Sequence, residues 1–172
     1  MQTSTKQQSA SQIYILGPEE GRHLHVLDNL GSVKTKADGS QAMAVIEFTA
    51  LRGFGPPAHL HEDEDEFLYV LEGEVNVHID DEVRSTTAGT FVWLPRNVPH
   101  TFQVVSETAR MLSATAGSLG PMPTFDAMMV ELGEEASQPT MPGPMDIDPG
   151  HVAAVSARHG VKVIGPPPAA LA

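Results

Sequence analysis

GPPAHLHEDEDEFLYVLEG (residues 55–73) contains two histidines one residue apart, His59 and His61, followed by a carboxylate at Glu66. Alternate side chains of a β-strand share a face, so the two imidazoles can point to the same side and bind one ion. Glu66 follows His61 at an odd offset, which would place it on the opposite face of an unbroken strand. The acidic EDED run therefore predicts a turn, after which a new strand aims Glu66 back at the histidines.

A second block, GTFVWLPRNVPHTF (residues 89–102), supplies a third imidazole at His100. Pro95 and Pro99 terminate strand pairing there and hold the loop before His100 in a fixed shape. The chain has no cysteine, so any metal must be held by nitrogen and oxygen ligands. Three imidazoles and one carboxylate form a good site for a divalent transition metal.

The two blocks together resemble the paired signature of the cupin family over roughly residues 40–110. The first fits G-x5-H-x-H-x4-E-x6-G, with Gly53, His59, His61, Glu66 and Gly73 at the fixed positions. The second fits G-x5-P-x-G-x2-H-x3-N as far as its histidine, with Gly89, Pro95 and His100. It departs at Asn97, where Gly is usual, and at Val104, where Asn is usual. Asn tolerates positive φ, so Asn97 can make the same turn.

The resemblance implies an all-β fold: a single cupin β-barrel of jelly-roll or Greek-key type with a metal inside its mouth. By the same resemblance His59, His61, Glu66 and His100 are the metal ligands. The expected cofactor is one divalent transition metal, and Fe, Ni, Mn, Cu and Zn all accept this ligand set.

Composition shifts predict three segments: a disordered leader over residues 1–12, the cupin barrel over 13–117, and a C-terminal helical extension and tail over 118–172. Short apolar runs predict barrel strands at QIYIL, HLHVL, AMAVIEFTAL, EFLYVLEG, EVNVHI, EVRSTT, TFVWLP, HTFQVV and RMLSATA. Hairpin turns are expected at DDEV and at Ala88-Gly89.

The C-terminal extension is predicted to contain two helices. The first covers TFDAMMVELGEEA, is capped by Thr124 or Asp126, is stopped by Gly133, and packs its Phe and Met stripe against the barrel. The second opens at Asp148-Pro149 and ends before Gly160. VKVIG is a candidate strand, and PPPAALA is expected to be a loose tail.

The charge balance restricts the partners of the chain. With 22 acidic and 10 basic residues the formal net charge is −12, which would repel nucleic acid and anionic lipid. The start of the chain lacks the apolar core of a secretory signal, and no apolar run reaches the length of a membrane helix. We expect a cytoplasmic protein that binds neither nucleic acid nor membrane and that forms a homodimer, which would cover exposed sheet edges.

The other histidines lack the neighbouring carboxylate and the second motif block that mark the site. The first HLH copy, His23 and His25, has no carboxylate at a comparable offset and no second block, so we interpret it as part of an ordinary strand. The same structural role is expected for His78, His151 and His159.

The layout of the whole chain resembles single-domain quercetinase-like cupins, which are metal-dependent dioxygenases of flavonol-type rings. The resemblance implies a dioxygenase that uses O2 and acts on a small enolisable, flavonol-like aromatic. Glu66 would be both ligand and catalytic base. Leu68, Val70 and Phe102 are the candidates for the substrate pocket, because they share a face with the ligands.

Two alternatives use the same residues. One is a redox-neutral isomerase, lyase or cyclase of small-molecule metabolism, in which the metal is only a Lewis acid. The other is a non-catalytic small-molecule-binding cupin. The presence of all four ligand types argues against the latter.

Overall fold

The computed structural model describes residues 13–38, 41–80, 82–117 and 125–171, and the chain is mostly β in these parts. The strands are β1 (Arg22–Val26), β2 (Asn29–Val33), β3 (Ala44–Leu51), β4 (His59–His61), β5 (Glu64–Glu72), β6 (Glu74–Ile79), β7 (Glu82–Thr87), β8 (Phe91–Leu94), β9 (His100–Val104), β10 (Thr108–Gly117), β11 (Glu134–Glu135) and β12 (Val161–Val163). The helices are α1 (Phe125–Leu132) and α2 (Pro149–Arg158).

The strands form two antiparallel sheets whose inner faces enclose one core. The larger sheet has the order β11-β1-β2-β3-β10-β5-β8 and the smaller has the order β12-β4-β9-β6-β7. Apolar residues of both sheets meet in a single hydrophobic cluster, for example Ile46 and Val70 from the larger sheet and Val77 and Val104 from the smaller. The predicted all-β fold with a short helical extension is therefore confirmed.

Most predicted strands are present, with three corrections. QIYIL is not a strand where it is described, because Ile13–Leu16 runs outside both sheets. The run NLGSV, which was not predicted, forms β2 and pairs with β1 and β3. The turn at Ala88-Gly89 is not a hairpin, because β7 pairs with β6 while β8 pairs with β5 in the other sheet. It is a corner between the two sheets.

Four positions of the motif have positive φ, and at two of them, Gly73 and Asn97, the contacts explain the choice of residue. Gly73, between β5 and β6, has φ +85°, and a Cβ there would lie 2.4 Å from the Thr108 carbonyl oxygen, so only glycine fits. Asn97 has φ +62°, which confirms that it replaces the usual glycine. Its backbone N–H donates to the His61 carbonyl oxygen at 2.7 Å, so this turn ties the two motif blocks together.

The C-terminal part adds strands as well as helices. β11 pairs with β1 in the larger sheet and β12 pairs with β4 in the smaller one, so the chain returns to both sheets. Asp148 caps α2 as expected, by accepting a hydrogen bond from the backbone N–H of Gly150 at 2.8 Å. The expected loose tail instead contacts the barrel, where Gln103 Nε2 donates to the Ala169 carbonyl oxygen at 2.7 Å.

The N-terminal end of α1 differs from the prediction, whereas its C-terminal end agrees with it. Gly133 follows its last residue as expected. Asp126 lies within the helix, and its buried carboxylate accepts hydrogen bonds from Thr35 Oγ1 at 2.6 Å and the Ala37 backbone N–H at 3.1 Å. The alternative cap Thr124 and the predicted leader, residues 1–12, lie outside the described residues. No helix among the described residues is long and apolar enough to cross a membrane.

Candidate metal centre

Three strands from the two sheets bring the predicted ligands together. β4 carries His59 and His61, and β9 begins at His100, which pairs with His59 across the smaller sheet. Glu62 and Asp63 form a bend after which β5 joins the larger sheet. Glu66 is therefore on a new strand and faces inward, as the odd offset from His61 required.

The ligand atoms of the four residues converge. Glu66 Oε2 lies 3.2 Å from His61 Nε2 and 3.3 Å from His100 Nε2. The His59 ring centroid is 4.5 Å from that of His100 and 5.4 Å from that of His61. One ligand atom from each of the four residues lies within 4.8 Å of all the others, so the four could hold a single metal ion.

Hydrogen bonds on the far side of the rings orient two of the histidines. Nδ1 of His59 lies 2.8 Å from the Pro57 carbonyl oxygen, and Nδ1 of His100 lies 2.9 Å from that of Val98. A carbonyl can only accept, so each Nδ1 carries the proton and each Nε2 keeps its lone pair for a metal. Two of the three imidazoles are thus held by backbone atoms alone.

The carboxylate of Glu66 is also oriented by a hydrogen bond to its Oε1 atom. Ser113 on β10 donates its hydroxyl proton to Glu66 Oε1 at 2.6 Å, and both residues are buried. This hydrogen bond leaves Oε2 directed at the histidines. Ser113 was not identified from the sequence, and its only signal is a polar residue at an inward position of β10.

The electrostatics of the pocket favour a cation. Burial and the neighbouring His100 and His61 rings lower the pKa of His59 from 6.5 to about 3. Burial also disfavours charge on His61, but the carboxylates of Glu64 and Glu66 outweigh it and raise its pKa to about 9. Burial likewise disfavours charge on Glu66, yet His100 and His61 hold its pKa well below the usual range. The two carboxylates therefore stabilise positive charge at this position, which a divalent cation can supply.

The donor atoms fit a transition metal. His61 Nε2 and His100 Nε2 are buried and have no hydrogen-bond partner among the described residues. Such orphaned polar atoms are costly unless another group satisfies them. Three imidazole nitrogens and one carboxylate oxygen suit a divalent ion of the type expected from the sequence.

An apolar cavity of about 80 Å³ adjoins the cluster. Its walls include His59, Glu66 and His100, and the predicted pocket residues Leu68 and Phe102. Val70 is not part of the lining, because it is fully buried in the barrel core.

Helix α1 closes the cavity. Phe125, Met128 and Met129 pack on the barrel as expected, and they also line the cavity. The Phe125 ring stands edge-on to His61 with its centroid 5.3 Å away. The sequence predicted the packing of this stripe but not its place beside the metal ligands.

The remaining histidines lie outside the cluster. His23 Nδ1 is 2.9 Å from Ser32 Oγ, and His25 Nε2 is 2.9 Å from the Thr140 carbonyl oxygen. His159 Nε2 lies 2.7 Å from Glu131 Oε2, while His151 is exposed on α2. None of these residues, nor His78 on β6, belongs to a candidate metal cluster among the described residues.

The comparison with protein families agrees with this geometry. Residues 47–115, which include all four candidate ligands, match the Cupin domain family. This segment is a cupin domain.

The solved structures that the chain resembles show the same fold. KdgF from a Halomonas species has a TM-score of 0.56 and 16% identity over 62% of this chain and 96% of that one. A protein described as a predicted oxalate decarboxylase from Thermotoga maritima has a TM-score of 0.56 and 15% identity over 61% and 100%.

One curated relative resembles part of this chain. Quercetin 2,3-dioxygenase from Bacillus subtilis is 30% identical over 64 residues, which are 37% of this chain and 19% of that protein. The match thus spans about a fifth of the relative's length.

Proposed function

We propose that this cupin is a mononuclear metal-dependent dioxygenase of small, enolisable, largely apolar molecules. The observation that carries the proposal is the convergence of three imidazoles and one carboxylate on the wall of an apolar cavity. The partial similarity to quercetin 2,3-dioxygenase supports the choice of oxygen chemistry over other cupin activities.

The metal would be held by His59, His61, Glu66 and His100. An ion that accepts five or six ligands keeps one or two positions open beside these four, and when bound it supplies Lewis-acid and redox chemistry to a substrate oxygen and O2. The protein contributes the water-poor cavity, because the walls provided by Leu68, Phe102 and α1 leave little polar surface near the substrate.

In this proposal Glu66 also accepts the proton of an enol. Ser113 anchors the carboxylate through Oε1, so Oε2 is the oxygen that remains for a metal or for a substrate proton. A carboxylate held this way can alternate between ligand and base without leaving its position.

The volume of the cavity limits the substrate. About 80 Å³ is well below the roughly 300–1,000 Å³ of pockets that enclose drug-sized ligands. A single-ring or open-chain enol is closer to this volume than a three-ring flavonol is. We therefore place the preferred substrate at the small end of the flavonol-like class.

The test is oxygen uptake by protein loaded in turn with Fe(II), Ni(II), Mn(II), Cu(II) and Zn(II). Each form is given single-ring enols and, separately, a flavonol, and substrate loss is followed alongside oxygen. We expect one O2 consumed per substrate with at least one redox-active metal and faster turnover of the smaller compounds.

Other outcomes assign other functions. Substrate loss without oxygen uptake would identify a redox-neutral lyase, isomerase or cyclase. Binding without turnover in every metal form would identify a small-molecule binder. The His61→Ala variant is the matched control, because it removes one candidate ligand from the same cavity.

A further inference from the structure

The outer face of the larger sheet carries a concentrated aromatic surface. The chain has nine aromatic residues (six Phe, two Tyr and one Trp), and four of them, Phe67, Tyr69, Phe91 and Trp93, lie on two neighbouring strands. β5 and β8 pair so that Tyr69 faces Phe91 and Phe67 faces Trp93. We call these four residues the aromatic face.

These rings point away from the core. The alternate residues Glu66, Leu68 and Leu94 line the cavity inside the barrel, so the aromatic face occupies the outer side of the same strands. Phe91, Trp93 and Tyr69 are 57%, 54% and 37% exposed. The solvent side of an antiparallel sheet is ordinarily polar, so this face is typical of a contact surface.

Charged pairs border the aromatic face at both ends. Asp65 and Arg96 form an ion pair at 2.7 Å at one end of β5, and Glu72 and Arg110 form another at 2.5 Å at the other end. An apolar centre with a charged rim is the usual anatomy of a protein–protein interface.

A second apolar element lies on the same outer face. In Ile13–Leu16, Tyr14 and Leu16 line a groove over the larger sheet together with Val45 on β3, whereas Ile13 and Ile15 are 92% and 89% exposed. Within the part of the chain that the structure describes, these two isoleucines have almost no apolar cover.

We propose that the aromatic face is the centre of an interface between two copies of this chain. A two-fold interface uses the same patch twice, so one uncharged patch with a charged rim is sufficient for both partners. The three exposed rings offer on the order of 300 Å², and Ile13 and Ile15 add two nearly whole side chains, towards the roughly 800 Å² per partner of a standard interface. A basic partner is disfavoured, because the four side chains of the face provide no negative charge for it to bind.

The test uses Trp93, the only tryptophan, as a reporter of burial. Mass and tryptophan emission are measured from high micromolar to low nanomolar concentration. We expect a dimer that dissociates on dilution with a red shift of the emission. Raised salt should tighten association, because it screens the repulsion between two chains of charge −12.

The Phe91→Ser variant should raise the dissociation constant by about 30-fold or more, as loss of a central aromatic contact does. The matched control is Val83→Ser, which changes a residue that is also 57% exposed but lies on β7 in the other sheet, and it should leave the dimer unchanged. A monomer at the highest concentration, or a dimer that both variants affect equally, overturns the proposal. So does binding of the parent, but not of Phe91→Ser, to phosphatidylcholine vesicles in place of self-association.

An independent observation concerns the third imidazole of the metal centre. His59 and His100 give their Nδ1 protons to backbone carbonyls, but His61 Nδ1 has no hydrogen-bond partner among the described residues. Its nearest acidic neighbour is Glu64, whose Oε2 lies 3.7 Å away, and both side chains are buried. When Nε2, which faces Glu66, binds a metal, Nδ1 is the atom left to carry the ring proton.

We infer that Glu64 is a positioning residue that orients His61 for the metal. A carboxylate behind a histidine ligand fixes the ring and raises its basicity, and loss of such a partner typically weakens metal binding by about 10–100-fold. Glu64 is the first residue of β5, so the bend that redirects Glu66 also places this second carboxylate behind His61. The inference rests on the proposed metal site.

The test measures the affinity of Zn(II) and Cu(II) for Glu64→Gln and Glu64→Asp by competition with a chelator, without substrate. Both variants should bind about 10–100-fold more weakly, with an altered paramagnetic resonance spectrum of the Cu(II) form. Glu62→Gln, which changes an exposed residue two positions earlier, is the control and should bind like the parent.

The two failures are distinguishable. A parent protein that binds neither metal contradicts the proposed function itself. A parent that binds metal while both Glu64 variants match Glu62→Gln in affinity and spectrum overturns only the role of Glu64. Glu64→Asp keeps the charge but withdraws the carboxylate, so it remains informative if Glu64→Gln does not fold.

Discussion

The tripeptide HLH occurs on β1 and on β4, and the two copies are used in opposite ways. On β1 the central Leu24 is fully buried in the core, while His23 and His25 bond to neighbouring polar groups. On β4 His61 is buried inside the barrel, and Leu60 is only partly buried on the other side. The same three residues therefore serve packing in one strand and supply candidate metal ligands in the other.

The difference lies in the neighbours of each copy. Leu24 and Val26 make one continuous apolar face of β1, and burial of that face turns the histidines away from the core. On β4 Leu60 is the only apolar residue of the three-residue strand, and Glu62, two positions later, is acidic. The surrounding apolar and polar residues thus decide which side of each strand faces the core. Substitutions in each HLH copy can test this comparison.

The largest difference should appear in metal content. We expect His61→Ala and His100→Ala to lose nearly all bound metal, since each removes one of four converging ligands. His23→Ala and His25→Ala should retain the metal of the parent. Elemental analysis of purified protein checks this, and equal loss in both sets would remove the distinction between the two copies.

Glu66, the carboxylate that follows only the second HLH copy, should affect the turnover rate in addition to any effect on metal binding. Gln at position 66 keeps an oxygen ligand and a similar volume but cannot accept a proton at neutral pH. We expect Glu66→Gln to reduce turnover per bound metal by ~10²–10⁴-fold at saturating substrate. Turnover within a few-fold of the parent would make Glu66 a ligand only.

The leucines of the two copies should differ in stability. Leu24→Ala is expected to lower the free energy of unfolding by about 2–5 kcal/mol, because a fully buried side chain leaves a cavity. Leu60→Ala should cost about 1 kcal/mol or less, since Leu60 is partly exposed. Urea unfolding of metal-free protein measures both values. Similar losses of unfolding free energy in the two variants would show that the leucine faces the core in both strands.

The smallest of these effects concerns the support of Glu66. Ser113→Ala removes the hydroxyl that anchors Oε1, so the carboxylate gains freedom and loses a buried partner. We expect metal affinity to fall by about 10-fold, at the low end of the range for outer partners of ligands. Thr86→Ala is the control, because it removes another buried hydroxyl that bonds a carbonyl on β6 far from the ligands. If Ser113→Ala binds metal as tightly as this control does, Ser113 contributes only to packing.

Much of the site follows from residue types and spacing. Strand alternation places His59 and His61 on one side, and the acidic run between His61 and Glu66 indicates the bend that corrects the odd offset. The repeated β-like runs predicted the all-β class, and the resemblance to the cupin family implied the barrel. Asn97 could be assigned its positive φ because few other residues adopt that conformation.

The sequence by itself determined which residues are the candidate ligands, because ligand type and local backbone geometry are short-range properties. Only the tertiary structure decided which groups hydrogen-bond to those residues and orient them. Ser113 is on a strand that pairs with β5 from far along the chain, and the carbonyls of Pro57 and Val98 belong to loops without a side-chain signal. The outward aromatic face and the closure of the cavity by α1 likewise depend on how the sheets pair and pack, and long-range contacts of this kind leave no periodic trace in the sequence.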